Sequence, residues 1–271
     1  MVKFPNAKIN LGLRITGKRT DGYHELETIF YPVPFCDALE ITANSESEYN
    51  SFVQTGLAVP GNENENLCLR AYQLVKQLHP GLPAIKIHLH KAIPMGAGLG
   101  GGSADAAFTL QMLNEYFELR LNEKVLADQA LKLGSDCPFF LKNIPCLATG
   151  RGEQLTPVEC NLSNHQIVII YSQIHVSTAW AFSRIKPNMP KQALIEVIKM
   201  PINKWQDNLV NDFEAPVFDA YPLLSEIKQY CISQGAVYTS LTGSGSAIFS
   251  IFKQGKKPAL NLPEGCFYKW I

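Results

Sequence analysis

The sequence predicts an α+β protein of two domains, with mostly antiparallel sheets packed against helices. Two observations carry that reading. Several segments alternate between apolar and polar residues, as half-solvated antiparallel strands do. Others carry an apolar face at helical spacing and end at caps, glycines or prolines. The length of 271 residues, 46% of them hydrophobic and 18% charged, suits two medium domains with a sizeable core.

The elements follow in order. From Lys8 to Thr16, Ile9, Leu11, Leu13 and Ile15 face one way, and Lys8, Asn10, Gly12 and Arg14 the other. A turn at Thr20-Asp21-Gly22 precedes a strand from Glu27 to Val33, and Asp37 to Thr42 is a third. Ser45 to Asn66 reads as irregular, with a turn at Pro60-Gly61. A helix from Asn66 carries Leu67, Ala71, Leu74, Val75 and Leu78 and stops at Pro80-Gly81. In the strand Ile85 to Lys91, Ile85, Ile87 and Leu89 oppose Lys86, His88 and His90. A glycine loop leads into a helix from about Ser103 to Phe117, and a further helix runs from its cap Asn122 to Gly134. Ser135 to Pro138 is a tight connection into apolar Phe139-Phe140-Leu141. The polar stretch 157–164 divides an N-terminal domain, 1–157, from a C-terminal domain, 158–271. The second domain has strands at Gln166 to Tyr171, Ala236 to Leu241 and Ser246 to Phe252. Its helices are expected at Ser177 to Phe182, Lys191 to Met200, Asn211 to Ala220 and Leu223 to Gln234.

Composition excludes several functions. Lys and Arg number 24, as do Asp and Glu, so the chain lacks the basic excess of a nucleic-acid binder. Seven cysteines without a CxxC pair indicate reduced thiols rather than a zinc or redox motif. The first residues are not a signal h-region, and no apolar run spans a bilayer, so no membrane partner and a cytoplasmic location are expected. His88 and His90 share a strand face, but no third metal ligand accompanies them, and an exposed face explains them as well or better.

The strongest chemical signal runs from Pro94 through Met95, Gly96, Ala97, Gly98, Leu99, Gly100, Gly101, Gly102, Ser103 and Ala104. Five glycines in seven positions let backbone N–H groups approach a ligand without a Cβ in the way. The helix that follows adds N–H groups and a positive dipole end, which suit phosphate. Gly96-x-Gly98-x-x-Gly101 also fits a dinucleotide fingerprint, but the alternating strand before it does not suit a sheet covered on both faces. Gly12 to Lys18 imitates a P-loop, with Arg19 where Ser or Thr is required. Protein-kinase signatures are absent. Lys8 and Asn10 share one strand face, and Asp136 stands in a small-residue turn, where a carboxylate can serve as a base. Each alone has an ordinary reading, a solvated face and an Asp turn. Together with the loop they favour phosphoryl transfer to a small molecule. A dinucleotide-dependent oxidoreductase and a noncatalytic binding protein are the rival readings.

These motifs resemble those of the GHMP kinase superfamily, most closely its diphosphocytidyl-methylerythritol kinase branch. Pro5-Asn6-Ala7-Lys8-Ile9-Asn10-Leu11 is similar to the opening motif, with one residue inserted after Pro5. Asp21-Gly22-Tyr23-His24 is similar to a signature that most other superfamily members lack. Pro94 to Ala107 is similar to the ATP loop, Leu133 to Phe140 to the catalytic-aspartate segment, and Leu241 to Ser246 to the third motif. The resemblance implies the two-domain GHMP fold, with ATP and substrate in the cleft between domains. It implies ATP and Mg²⁺ as cofactors and a small-molecule substrate, with the chain a monomer or weak homodimer. Asp136 would accept the substrate hydroxyl's proton, and Lys8 would neutralise developing charge. Asn66 would line the adenine site. Tyr23 would stack on cytosine, His24 would bond its edge, and Asn10 and Thr178 would contact substrate. A mevalonate- or homoserine-type substrate is the alternative. Two departures stand out: Ala104 replaces a second serine after Ser103, and Thr242 replaces a small or serine residue.

Overall fold

The computed structural model describes residues 1–58, 65–189 and 192–271. The first half runs β1 (Val2–Lys3), β2 (Asn6–Lys18), β3 (His24–Cys36), β4 (Ala38–Ala43), β5 (Ser51–Gly56), α1 (Leu67–Leu78), β6 (Ile85–Lys91), α2 (Gly101–Tyr116), α3 (Glu123–Leu133) and α4 (Cys137–Lys142). The second runs β7 (Cys146–Thr149), β8 (Gln154–Pro157), β9 (His165–Tyr171), α5 (Thr178–Ser183), α6 (Leu194–Val197), a 3₁₀ turn (Ile202–Lys204), α7 (Trp205–Asn208), α8 (Glu214–Ala220), α9 (Pro222–Ser233), β10 (Tyr238–Leu241), β11 (Ile248–Lys253) and β12 (Phe267–Trp270). Among the described residues, no helix is long and apolar enough to cross a membrane. None of the seven cysteines is bridged by a disulfide.

Two units form, and each is discontinuous in sequence. The first holds residues 1–7, 34–95 and 100–144, the second 8–33, 96–99 and 145–271. The sequence reading draws one boundary at 157/158. The structural units instead interleave, because β2 and β3 join the second unit while the chain between them and the glycine loop builds the first.

In the first unit the sheet order is β1-β4-β6-β5. β4 and β6 are antiparallel, with Leu39 opposite Leu89 and Ile41 opposite Ile87. β5 lies parallel to β6, the one departure from antiparallel pairing in this sheet. The period-two pattern of β6 works as expected. Ile85, Ile87 and Leu89 bury with Leu39 and Ile41 against Val75 of α1, Leu110 of α2 and Ala130 of α3, while His88 and His90 stay exposed on the other face. Both of those histidines hydrogen-bond the Thr55 hydroxyl. Asn66 and Asn122 cap α1 and α3, accepting from Cys68 N and Val125 N, and Gly134 closes α3.

In the second unit one sheet has the order β2-β3-β7-β8 and another β10-β11-β9-β12. The second sheet is antiparallel throughout. Val168, Ile170, Leu241, Ile248 and Phe252 pack with Leu13 and Ile15 of β2 and with Val217, Leu224 and Ile227 of α8 and α9.

Several expectations change. Ser51–Gly56 is a strand rather than irregular chain, its polar composition fitting an edge position. The turn expected at Pro60-Gly61 lies outside the described residues, as does the start of the helix expected at Lys191 to Met200, of which Leu194–Val197 forms. The run after Asp136 is a helix, started by Pro138 in its first turn. The helix expected from Asn211 begins at Glu214, because Asn211 pairs with Leu13 instead.

Asn211 is fully buried. Its Nδ2 donates to the Leu241 and Gly243 carbonyls, both at 2.9 Å, and its Oδ1 accepts from Phe213 N at 3.0 Å. Asn211→Ala leaves two buried carbonyls and one N–H without these partners. It is expected to cost about 2–4 kcal/mol of unfolding free energy, read by urea titration.

Candidate active site

The glycine loop has an alternating construction. Gly96, Gly98 and Gly100 have φ of 65°, 78° and 73°, in the left-handed region. Between them Ala97 and Leu99 are each 1% exposed. The buried pair anchors the loop, and the glycines turn successive N–H groups in the manner of an anion-binding nest. Gly100 is the N-cap of α2 and offers no side chain there, so helix N–H groups at its start stay available to a ligand.

Within the second unit, three sequence-predicted segments converge on this loop. Lys8 N donates to Leu99 O at 2.9 Å, and Ala247 N to Ala97 O at 3.1 Å. A Cβ on Gly98 would stand 2.0 Å from the Thr242 carbonyl oxygen, and one on Gly243 2.9 Å from Gly98 Cα. The Thr242 hydroxyl donates to Gly98 O or Asn10 Oδ1, at 3.1 and 3.2 Å, and accepts from Asn10 N at 3.1 Å. The threonine that departs from the family pattern therefore joins opening motif, loop and third motif.

Lys8 and Asn10 are 3% and 1% exposed. The polar face of β2 is thus buried rather than solvated. Lys8 Nζ donates to Asn10 Oδ1 at 2.6 Å and stands 4.9 Å from the Phe30 ring centroid. Asn10 Oδ1 also accepts from Gly243 N at 2.9 Å, and Nδ2 donates to Thr28 Oγ1 at 3.0 Å. Asn10 was expected to touch substrate. Its amide is engaged with Lys8, Thr28 and Gly243, which suits it to aiming the lysine.

In the first unit, Asp136 is the half-buried N-cap residue of α4, and its side chain does not cap that helix. Ser103 lies over the same turn: a Cβ on Gly134 would stand 3.9 Å from Ser103 Oγ. Ser103 also hydrogen-bonds Cys137, whose thiol burial pushes up to about 12, keeping it neutral. Gly101 serves the chain's own packing, since a Cβ there would meet Ile93 Cγ2 at 2.9 Å and Lys91 Nζ at 3.2 Å. Gly102 has room, with only Leu67 near, at 3.7 Å. Pro94 and Met95 lead into the loop, Met95 being exposed. Asn66, whose oxygen caps α1, precedes Leu67.

The Asp21 turn is built by its own side chains. Asp21 Oδ1 accepts from Tyr23 N at 3.1 Å, and Arg19 N donates to Tyr23 O. The Tyr23 bond and Arg19 hold the Asp21 carboxyl below its usual range. Tyr23 is 54% exposed, with the Arg151 guanidinium 4.6 Å from its ring centroid. His24 stacks on Phe182 at 4.9 Å between centroids. Burial, with help from the Lys18 charge, lowers the His24 pKa and keeps the ring neutral near pH 7. Thr178, first residue of α5, hydrogen-bonds Ser244 at 3.1 Å. The sequence reading missed Phe182 and Arg151. Neither sits in a motif, and only the fold brings them to Tyr23 and His24.

Comparison with known proteins agrees with this construction. Residues 66–143 match the GHMP kinases N terminal domain and 197–260 the GHMP kinases C terminal domain. A homoserine kinase from Cytophaga hutchinsonii shares the fold at a TM-score of 0.70 with 16% identity, over 94% of this chain and 85% of that one. The fold and its glycine loop are those of a GHMP kinase. A crystal structure of 4-(cytidine 5′-diphospho)-2C-methyl-D-erythritol kinase superposes with a TM-score of 0.79 and 31% identity, over 93% of this chain and 90% of that one. The 4-diphosphocytidyl-2-C-methyl-D-erythritol kinase of Bacteroides fragilis is 49% identical over 258 residues, 95% of this chain and 94% of the relative. The chain belongs to the 4-diphosphocytidyl-2-C-methyl-D-erythritol kinase family.

Gly98→Ala is expected to lose about 2–4 kcal/mol of stability, from left-handed strain and the Thr242 clash together. It should also raise the KM for ATP. Urea unfolding and steady-state kinetics read the two effects.

Proposed function

We propose that this chain transfers the γ-phosphoryl group of ATP to the 2-hydroxyl of 4-diphosphocytidyl-2-C-methyl-D-erythritol. The observation that carries the kinase reading is the loop 96–100, with left-handed glycines and buried anchors leading into the start of α2. A triphosphate needs convergent N–H donors, and this backbone supplies them. The match over 94% of the B. fragilis relative supports the substrate.

In the reaction, Asp136 accepts the proton of the 2-hydroxyl as that oxygen bonds the γ-phosphorus. The bond from the γ-phosphorus to the β,γ-bridging oxygen breaks, and ADP leaves with the electron pair. Lys8, aimed by Asn10, stabilises charge on the phosphoryl oxygens. Loop N–H groups and Ser103 hold the phosphates, and Asn66 borders the adenine. Mg²⁺ neutralises phosphate charge when bound. Ser103 Oγ and the Asp136 carboxylate would help to hold it, and Ala104 would add no oxygen, a donor set that fits an ion coordinated mainly by phosphates and water. Tyr23 stacks on cytosine, while neutral His24, steadied by Phe182, bonds its edge; Thr178 borders the same pocket. The chain works in the cytoplasm as a monomer or weak homodimer.

Asp136→Asn is expected to keep ATP binding and to lower kcat about 100-fold or more, as loss of a positioned base does. Stopped assays of product formation, with ATP binding measured separately, test it.

Tyr23→Ala should weaken the cytidyl substrate about 10- to 100-fold and spare ATP, following the magnitude of base–aromatic stacking. His24→Ala should reduce the preference for cytidine over uridine. The unmodified protein should phosphorylate the cytidyl alcohol in preference to mevalonate and homoserine. A better rate on either of those removes the cytidine reading.

A further inference from the structure

Tyr23 carries the cytosine stack in the reading above, yet it stands 54% exposed. Its backbone is tied at both polar groups. Tyr23 N donates to Asp21 Oδ1 at 3.1 Å, and Tyr23 O accepts from Arg19 N at 2.8 Å. Its ring is not tied in this way. Among the described residues its hydroxyl has no hydrogen-bond partner and no other aromatic ring packs on it. The Arg151 guanidinium lies over it, 4.6 Å from the ring centroid.

Backbone contacts put Arg151 there. β3 and β7 pair with Thr28 opposite Ala148. Leu26 N donates to Gly150 O at 2.8 Å, which carries the pairing past the end of β7. Arg151 follows at once, in the turn from β7 to β8. The Glu153 carboxylate accepts from Arg151 N at 2.6 Å and closes that turn. Arg151 is thus fixed against the start of β3, the strand that Tyr23 immediately precedes.

The charge of Arg151 has no acidic partner to explain its position. Among the described residues no carboxylate lies within ion-pair distance of its guanidinium. Asp21 and Glu25, the acids beside Tyr23, are both paired with Arg19. Glu153 is engaged by the Arg151 main chain. A guanidinium on a ring is attracted by the negative face of the π-system, and its flat shape covers the ring as an ammonium does not.

An exposed side chain turns about its single bonds, and a base that stacks on it must stop that motion. A cation resting on one face stops it beforehand and leaves the other face for the base. We propose that Arg151 is the positioning residue for Tyr23: its guanidinium backs the ring, so that cytosine, Tyr23 and Arg151 form a three-layer stack. This rests on the cytosine-stacking reading of Tyr23. Arg151 touches no substrate atom in this arrangement. Its effect is therefore confined to binding of the cytidyl group and depends on the Tyr23 ring.

The test is steady-state kinetics of the full chain and of Arg151→Ala, Tyr23→Ala and the double variant, with cytidine and cytidine 5′-diphosphate as competing inhibitors. Arg151→Ala should raise the KM for the cytidyl alcohol about three- to tenfold, the strength of one partly desolvated cation–π contact. The KM for ATP and kcat should not move. The inhibition constants of cytidine and of its diphosphate should rise by the same factor, because the effect reaches the base and not the phosphates. In the Tyr23→Ala background, Arg151→Ala should add nothing, the mark of two residues acting through one contact. Unchanged cytidine inhibition in Arg151→Ala, where Tyr23→Ala weakens it, overturns the role of Arg151 and leaves the Tyr23 stack standing. Unchanged cytidine inhibition in Tyr23→Ala overturns the stack itself. A loss seen with the diphosphate and not with cytidine, fading as salt is raised, makes Arg151 a phosphate contact and overturns the positioning role. So does a full effect of Arg151→Ala in the Tyr23→Ala background, or a change shared by kcat and both KM values.

Discussion

Gly98 lies against the Thr242–Gly243 backbone so closely that no side chain fits between them. A loop of left-handed glycines has little shape of its own, since each glycine has more conformations to lose than any other residue. Here the loss is offset by contacts from outside the loop. Ala97 and Leu99 bury, their carbonyls accept from Ala247 and Lys8, and Thr242 bonds Gly98. Asn10 extends the same lock to the side chain of Lys8. Loop shape and lysine orientation thus depend on one close approach. Donors held in advance need no reorganisation when charge develops, and that is where such sites gain rate.

Much of this was legible in the sequence, for physical reasons that vary by element. β6 alternates because one face packs on three helices and the other meets water. Asn66, Asn122 and Gly134 mark helix ends because cap chemistry is local. The glycine loop is readable because positive φ calls for glycine. β5, the β7–β8 hairpin and β12 were missed. Edge strands such as β5, β8 and β12 need no apolar alternation, and Phe267 and Tyr268 of β12 are exposed aromatics that resemble surface chain. At the candidate site, local motifs supplied Lys8, Asp136, Tyr23 and His24. Phe182, Arg151 and the bonds of Thr242 depend on contacts between distant segments. Lys91 did leave a signal: it falls on the parity of Ile85, Ile87 and Leu89, and an inward lysine calls for buried acids.

The two polar arrangements differ in kind. Around Asn10 every group is neutral except Lys8, and the hydrogen bonds set direction. Around Lys91 two carboxyls, of Asp37 and Asp105, crowd one ammonium, and burial of the surplus carboxyl works against its charge. Both are buried, so both are costly to break and specific in geometry. Neither is placed where solvent would screen it.

The interleaving of the two units bears on how the chain is made. The first unit is complete once Ile144 has emerged from the ribosome, and its sheet and four helices are joined by contacts no longer than that span. β2 and β3 are made before it is complete, yet their remaining strand partners and the helices that cover Leu13 and Ile15 are translated after it. For most of synthesis these two long strands are apolar chain without a core. Such segments fold late and are exposed to misassociation in the interval. A growing chain of this kind is most vulnerable at β2 and β3, until the segments after residue 145 that pair with and cover them have been made.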